Sequence, residues 1–193
     1  MSIASQRSLS VSEPPNEPVT LQEAKAHLLI SPNDPTHDGY VRQLITTARQ
    51  EWEHDTQSLT VTRTVIEKLP GLPAEGTWRF YYRPVESITS ITYYDADNAQ
   101  QTLDSNSYQL DAYNRYLWYV PGTTLPSTSS RWDAVEVTYV SGATIPTEIS
   151  KHALKLKCDE YFETRGLAPN QMPDRVNKAY EMLVRKYSRA SYY

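Results

Sequence analysis

Two pairs of carboxylates stand four residues apart in stretches of helical periodicity, Glu51 with Asp55 and Asp159 with Glu163. That spacing puts each pair on one helix face. There, one carboxyl could give a proton while the other takes one, as hydrolysis requires. Solvated charges on an outward face explain the same spacing with fewer assumptions. Asp95, Asp97 and Asn98 match the opening of a calcium loop. The sixth position, which needs Gly, is Gln100, and the twelfth, which needs a bidentate Glu, is Asn106, so a plain turn is expected. His27, His37, His54 and His152 show no zinc spacing, and Cys158, the single cysteine, cannot complete a thiolate site. His37 with Asp38 and Asp34 is the nearest approach to a ligand cluster, and a helix-start loop accounts for it. Six glycines form no phosphate-cradling loop, and no Gly-x-Ser-x-Gly occurs. The sequence is read as that of a non-enzyme with no metal or cofactor.

The remaining chemistry is aromatic. The segment YNRYLWY, residues 113–119, is the densest cluster, with Tyr113, Tyr116, Trp118 and Tyr119. Contact with a partner or a sugar and burial in a β core are both open to it. Arg79 and Arg83 flank Tyr81 and Tyr82 and could stack bases. Against this, residues 1–150 carry a net charge of −8 and residues 151–193 one of +4, making the −4 of the 193-residue chain. An acidic body is poorly suited to gripping phosphates. The basic C-terminal end either meets an acidic partner or is a solvated helix face. Fifteen Tyr stand against two Phe, and nine of the Tyr fall within residues 81–139. Tyrosine suits half-covered strands and faces that meet other chains, because its ring is buried while its hydroxyl stays wet.

These residues must be positioned by elements whose periods are legible. Thr20 with Glu23 makes a capping box opening a Leu-rich helix that stops before Pro32. Asp38 is a candidate N-cap for a helix over residues 39–56, with Val41, Leu44, Ile45, Ala48 and Trp52 on one face. The period then becomes two. Strands are expected over residues 60–69, 77–82, 87–94, 101–103, 108–111, 116–120 and 134–140. Helix returns from Pro146, with Ile149, Ala153, Leu156 and Tyr161 at helical spacing and Cys158 as a buried small hydrophobe. A final helix over residues 174–189 carries Val176, Ala179, Tyr180, Leu183, Val184 and Tyr187.

The chain is long enough to bury about 70% of its unfolded surface without staples. Runs of strands flanked by runs of helices predict an α+β fold. It is read as a small helical bundle from N- and C-terminal helices with an inserted antiparallel β-sheet or sandwich. The expected parts are a flexible, Ser- and Pro-rich arm (1–18), a helical domain (19–57 and 146–189), a β insertion (58–145) and a short aromatic tail (190–193). The N-terminus lacks the apolar core of a signal peptide, and no run approaches a membrane span. A lone cysteine is compatible with folding in a reducing cytoplasm.

Four segments in order carry a resemblance: VTLQEAKAHLLI, VRQLITTARQEWEHDTQSL, RPVESITSITYYDADNAQQTLDSNSYQLD, and VEVTYVSGATIPTEISKHALKLKCDEYFETRG. Together they resemble head–tail connector proteins of tailed bacteriophages, the head-completion or adaptor proteins of the virion neck, over about residues 18–166. The resemblance implies a homo-oligomeric ring, usually a dodecamer, beneath the portal protein at the capsid vertex. It would extend the channel through which double-stranded DNA passes without sequence-specific binding. It would also meet the next neck, stopper or tail protein. The implied location is the head–tail interface of the virion, after assembly in the host cytoplasm, with no membrane contact. By position, portal docking falls on the C-terminal helix and tail: Tyr180, Val184, Tyr187, Arg189, Tyr192 and Tyr193. Inter-subunit or neck contact falls on Tyr113, Tyr116, Trp118 and Tyr119. The alternative is a β-rich surface module binding a carbohydrate or a protein receptor.

Overall fold

The computed structural model describes residues 7–73, 77–111, 113, 115–143, 146–166 and 176–190. The fold is α+β: the described residues form four α-helices and two antiparallel sheets, of five and three strands. It divides into two compact units, one of residues 1–13 and 62–142, the other of residues 14–61 and 143–193.

The β unit contains all eight strands: β1 (Ser8–Val11), β2 (Arg63–Leu69), β3 (Thr77–Arg79), β4 (Val85–Tyr94), β5 (Gln100–Thr102), β6 (Tyr108–Leu110), β7 (Tyr116–Tyr119) and β8 (Val135–Ser141). The larger sheet runs β1-β2-β8-β4-β5 and the smaller β3-β7-β6. Strict alternation in β8 buries Val135, Val137, Tyr139 and Ser141. In β4 the apolar residues Ile88 and Ile91 are three apart, the wrong spacing for a regular strand. A bulge absorbs the extra residue, so Ile88 still pairs with Tyr139 and Ile91 with Val137. Phe80 packs on Tyr139 at 4.8 Å between ring centroids, and Trp78 stacks beside Phe80.

Residues 7–13 of the expected N-terminal arm are part of this unit. Within it, β1 pairs along β2, Ser8 with Lys68 through Val11 with Val65. The Arg7 guanidinium reaches the fully buried Glu67 carboxylate at 2.6 Å. Serine-rich composition conceals the alternation of Leu9 and Val11, which is enough for a four-residue edge strand. Burial pushes the Glu67 carboxyl above its ordinary range, against the opposing pull of Arg7.

The helical unit is built from α1 (Leu21–His27), α2 (Asp38–Thr56), α3 (Glu148–Thr164) and α4 (Val176–Ala190). The capping box is present: Thr20 accepts from the Glu23 amide, and the Glu23 carboxylate accepts from the Thr20 amide. The α2 stripe of Val41, Leu44, Ile45, Ala48 and Trp52 is buried as its period requires. Asp38 is not the cap but the first helical residue. Its carboxylate turns to Lys25, whose buried ammonium it meets at 2.7 Å, because that charge needs a partner out of water. In α3 the buried face is Ala153, Leu154, Lys157 and Cys158, while Ile149 points outward. Pro146 precedes the helix, and Thr147 caps it by accepting from the Ser150 amide.

Candidate functional site

The carboxylate pair on α2 is used internally. Glu51 meets the Lys157 ammonium at 3.1 Å and accepts from the Tyr161 hydroxyl. Asp55 accepts from the Tyr180 hydroxyl at 3.1 Å. Lys157 also meets Glu160 at 2.9 Å and lies 4.7 Å from the centre of the Tyr180 ring. These bonds join α2, α3 and α4 and leave the pair arranged as a structural network. On α3, Glu163 faces solvent.

The Asp95 loop is a turn that satisfies itself. Asp95 accepts from the Asp97 and Ala99 amides at 3.0 and 2.9 Å and from the Gln101 side chain at 3.0 Å. Those bonds, led by Gln101, hold its carboxyl below the usual range. Asn98 takes the left-handed conformation, φ 60°, that this turn requires. Among the described residues, no three His, Cys, Asp or Glu side chains converge as metal ligands. Cys158 is buried, which pushes its thiol up to about 12.

Two surfaces remain. The first is one face of the small sheet. Register places Thr77 opposite Trp118, Arg79 opposite Tyr116, and Gln109 opposite Trp118. The period of two turns Tyr116 and Trp118 to one face with Arg79 and Gln109. Leu117 and Tyr119 turn to the other, with Trp78 and Leu110. Trp118 is 48% exposed. Tyr113, in the β6–β7 turn, is 68% exposed, with the Arg115 guanidinium 5.2 Å from its ring centre. Asp111 shapes that turn by accepting from the Tyr113, Arg115 and Tyr116 amides. Partial burial disfavours its charge, but the amide donors outweigh this and hold the carboxyl low. Tyr119 separates from the other three aromatics. It lies on the inner face, where burial pushes its phenol up to about 12.

The second surface is the outward face of α4. The structure turns Tyr180, Val184 and Tyr187 inward. The Trp52 ring lies 6.0 Å from Tyr180 and 5.4 Å from Tyr187, and Val184 packs on the same cluster. Burial, with Asp55 beside it, raises the Tyr180 phenol well above its ordinary value. These three residues form the helix's own core stripe. Outward lie Lys178, Glu181, Met182, Arg185 and Lys186, with Met182 71% exposed. Sequence reasoning could have found them as the complement of the stripe. Tyr192, Tyr193 and the Arg189 side chain lie outside the described residues.

The fold so defined is an α+β arrangement of a β unit with two sheets and a helical unit drawn from both ends of the chain. It is shared with solved chains of other particles. Over 93% of this chain and 94% of theirs, at 18% identity, it matches a chain from the neck of the empty gene transfer agent (GTA) particle computed with C6 symmetry, TM-score 0.72. A chain from the virion of the native particle matches with the same coverage, identity and score. A chain from the neck of the native particle computed with C12 symmetry matches at 0.67. No protein-family model and no curated protein sequence matches the chain.

Proposed function

We propose that this protein is a structural component of a virion neck, an adaptor ring that joins the portal vertex of the capsid to the tail and extends the DNA channel. The observation that carries the reading is the likeness in fold, along nearly the whole chain, to chains of GTA neck structures computed with sixfold and twelvefold symmetry. A closed ring, twelve copies by the same analogy, suits an assembly with that symmetry. The acidic balance of residues 1–150 suits a conduit, since weak attraction for phosphate lets DNA pass without trapping it. The role is non-enzymatic, consistent with Glu51 and Asp55 being engaged by Lys157, Tyr161 and Tyr180.

Docking to the portal is assigned to the C-terminal helix, through Lys178, Met182, Arg185 and Lys186 instead of the inward tyrosines. The face of Tyr116 and Trp118, with Tyr113 at its edge, is assigned to the next neck or tail protein or to a neighbouring copy. Aromatic rings beside Arg are enriched at the cores of such contacts. The exposure of Trp118 also favours a second reading, a carbohydrate-binding face. Glycan binding that disappears in Trp118→Ala would support it.

Deletion of the gene tests the proposal. Capsids that fill with DNA but carry no tails are the expected result. Tailed, infectious or transducing particles in normal yield would overturn it.

A further inference from the structure

The turn after α1 places a side chain where folding alone does not favour it. The helix ends in a Schellman motif: the Ile30 amide donates to the Lys25 carbonyl at 2.9 Å and the Leu29 amide to the Ala26 carbonyl at 3.4 Å. This motif needs a left-handed residue at position 29, where φ is 57°. Glycine adopts that conformation without cost, whereas a Cβ crowds the following carbonyl. The chain carries Leu there, 94% exposed. Its side chain gains almost nothing from burial, and its backbone is strained. Strain kept without local compensation is a mark of function.

The other end of the same helix borders a cleft of about 540 Å³, lined by Glu17, Val19, Leu21, Arg42, Ile45 and Thr46 among others. Val19 and Ile45 give it an apolar floor. Arg42 is exposed at its edge and makes no ion pair among the described residues. Five residues after Leu29, the Asp34 carboxyl is held down at about 2 by hydrogen bonds from Thr36 and His37. The seven residues of α1, Leu21–His27, span about 10 Å along the helix axis between the cleft and the turn. The helix therefore keeps Leu29 out of the cleft of its own chain.

We infer that Leu29 of one copy inserts into this cleft on the next copy, with Asp34 facing Arg42, as a head-to-tail contact between helical units. The inference rests on the ring reading above and names the surfaces that close the ring. Knob and cleft are different patches, so the contact is heterologous, the kind that propagates around a ring. The opposite charges beside them favour one register over others.

A disulfide trap tests it, and buried Cys158 does not compete. In particles assembled with the full chain carrying both Leu29→Cys and Arg42→Cys, mild oxidation is expected to give a ladder of covalent multimers. Neither single variant is expected to give one. Dimers from Leu29→Cys alone would mean contact between like patches and overturn the inference. A ring seen at the vertex that stays uncrosslinked in the double variant would overturn the inference and leave the ring reading standing. Absence of the unsubstituted chain from the particle would overturn both. Leu29→Gly gives an independent check that does not risk the fold. It is expected to raise the melting temperature of the isolated chain and lower its incorporation into particles at least tenfold. Undiminished incorporation would contradict the inference.

Discussion

The β6–β7 hairpin and helix α4 are both rich in tyrosine, and they use it in opposite directions. In the hairpin, a period of two sends Tyr116 and Trp118 to an open face while Leu117 and Tyr119 turn inward. In α4, a single stripe turns Tyr180, Val184 and Tyr187 inward onto Trp52, leaving Met182 and three cations outside. The difference teaches that aromatic content alone does not mark an interface. A ring whose hydroxyl already bonds a charge inside the fold, as Tyr180 does with Asp55, is a structural element.

The largest effect should come from the inward set. Trp52→Ala removes the ring against which both Tyr180 and Tyr187 pack. It is expected to cost about 3–5 kcal/mol in denaturant unfolding and to expose α4 to hydrogen exchange. A cost near zero would break the comparison. Tyr180→Phe keeps the ring but leaves Asp55 without that donor, and a loss of about 1.5 kcal/mol is expected from the same measurement.

A third test concerns the β unit and pH. Glu67 is buried, and its pKa lies above the unfolded value near 4.5. The native state therefore holds the proton more tightly than the unfolded chain. This residue's contribution to stability is greatest below about 4.5 and falls as pH rises through the raised native value. Subtracting the stability profile of Glu67→Gln from that of the parent should isolate this downward slope. A difference that rises with pH over the same interval would show the opposite shift. Carboxylates held low, such as Asp111 and Asp95, act in the other direction and in a more acidic window, losing their contribution as pH falls. The smallest stability effect belongs to the outward set. Trp118→Ala should change unfolding by less than about 0.5 kcal/mol while reducing assembly into particles. A large loss of stability would mean that its ring is structural after all.

Much of the fold was legible because its periods are clean. The α2 stripe, the Thr20–Glu23 box and the alternation of β8 each point to one answer. The hidden parts have physical reasons. β1 is only four residues long inside a serine-rich stretch, and its pairing with β2 spans more than fifty residues of sequence. Asp38 looks like a cap because the buried ammonium it neutralises, Lys25, lies thirteen residues away. The α3 face was misread at Ile149 because a buried Lys157, paired with Glu51 and Glu160, takes a place that hydropathy assigns to solvent. The exposure of Tyr113 and Trp118 is compatible with the surface role that their composition suggested. The exposed face of α4 is the complement of its apolar stripe, and the stripe drew the reading because its residues carry the helical period. Leu29 could not be found at all, since nothing in its residue type signals a left-handed turn.

The central claim is a ring at the capsid vertex. Electron cryo-microscopy of particles carrying this chain tests it most directly. Rotationally symmetric density directly beneath the portal that accepts copies of this fold, with Leu29 at the boundary between neighbours, is the expected result. A portal vertex fully built without this chain, or the chain found elsewhere on the particle, would contradict it.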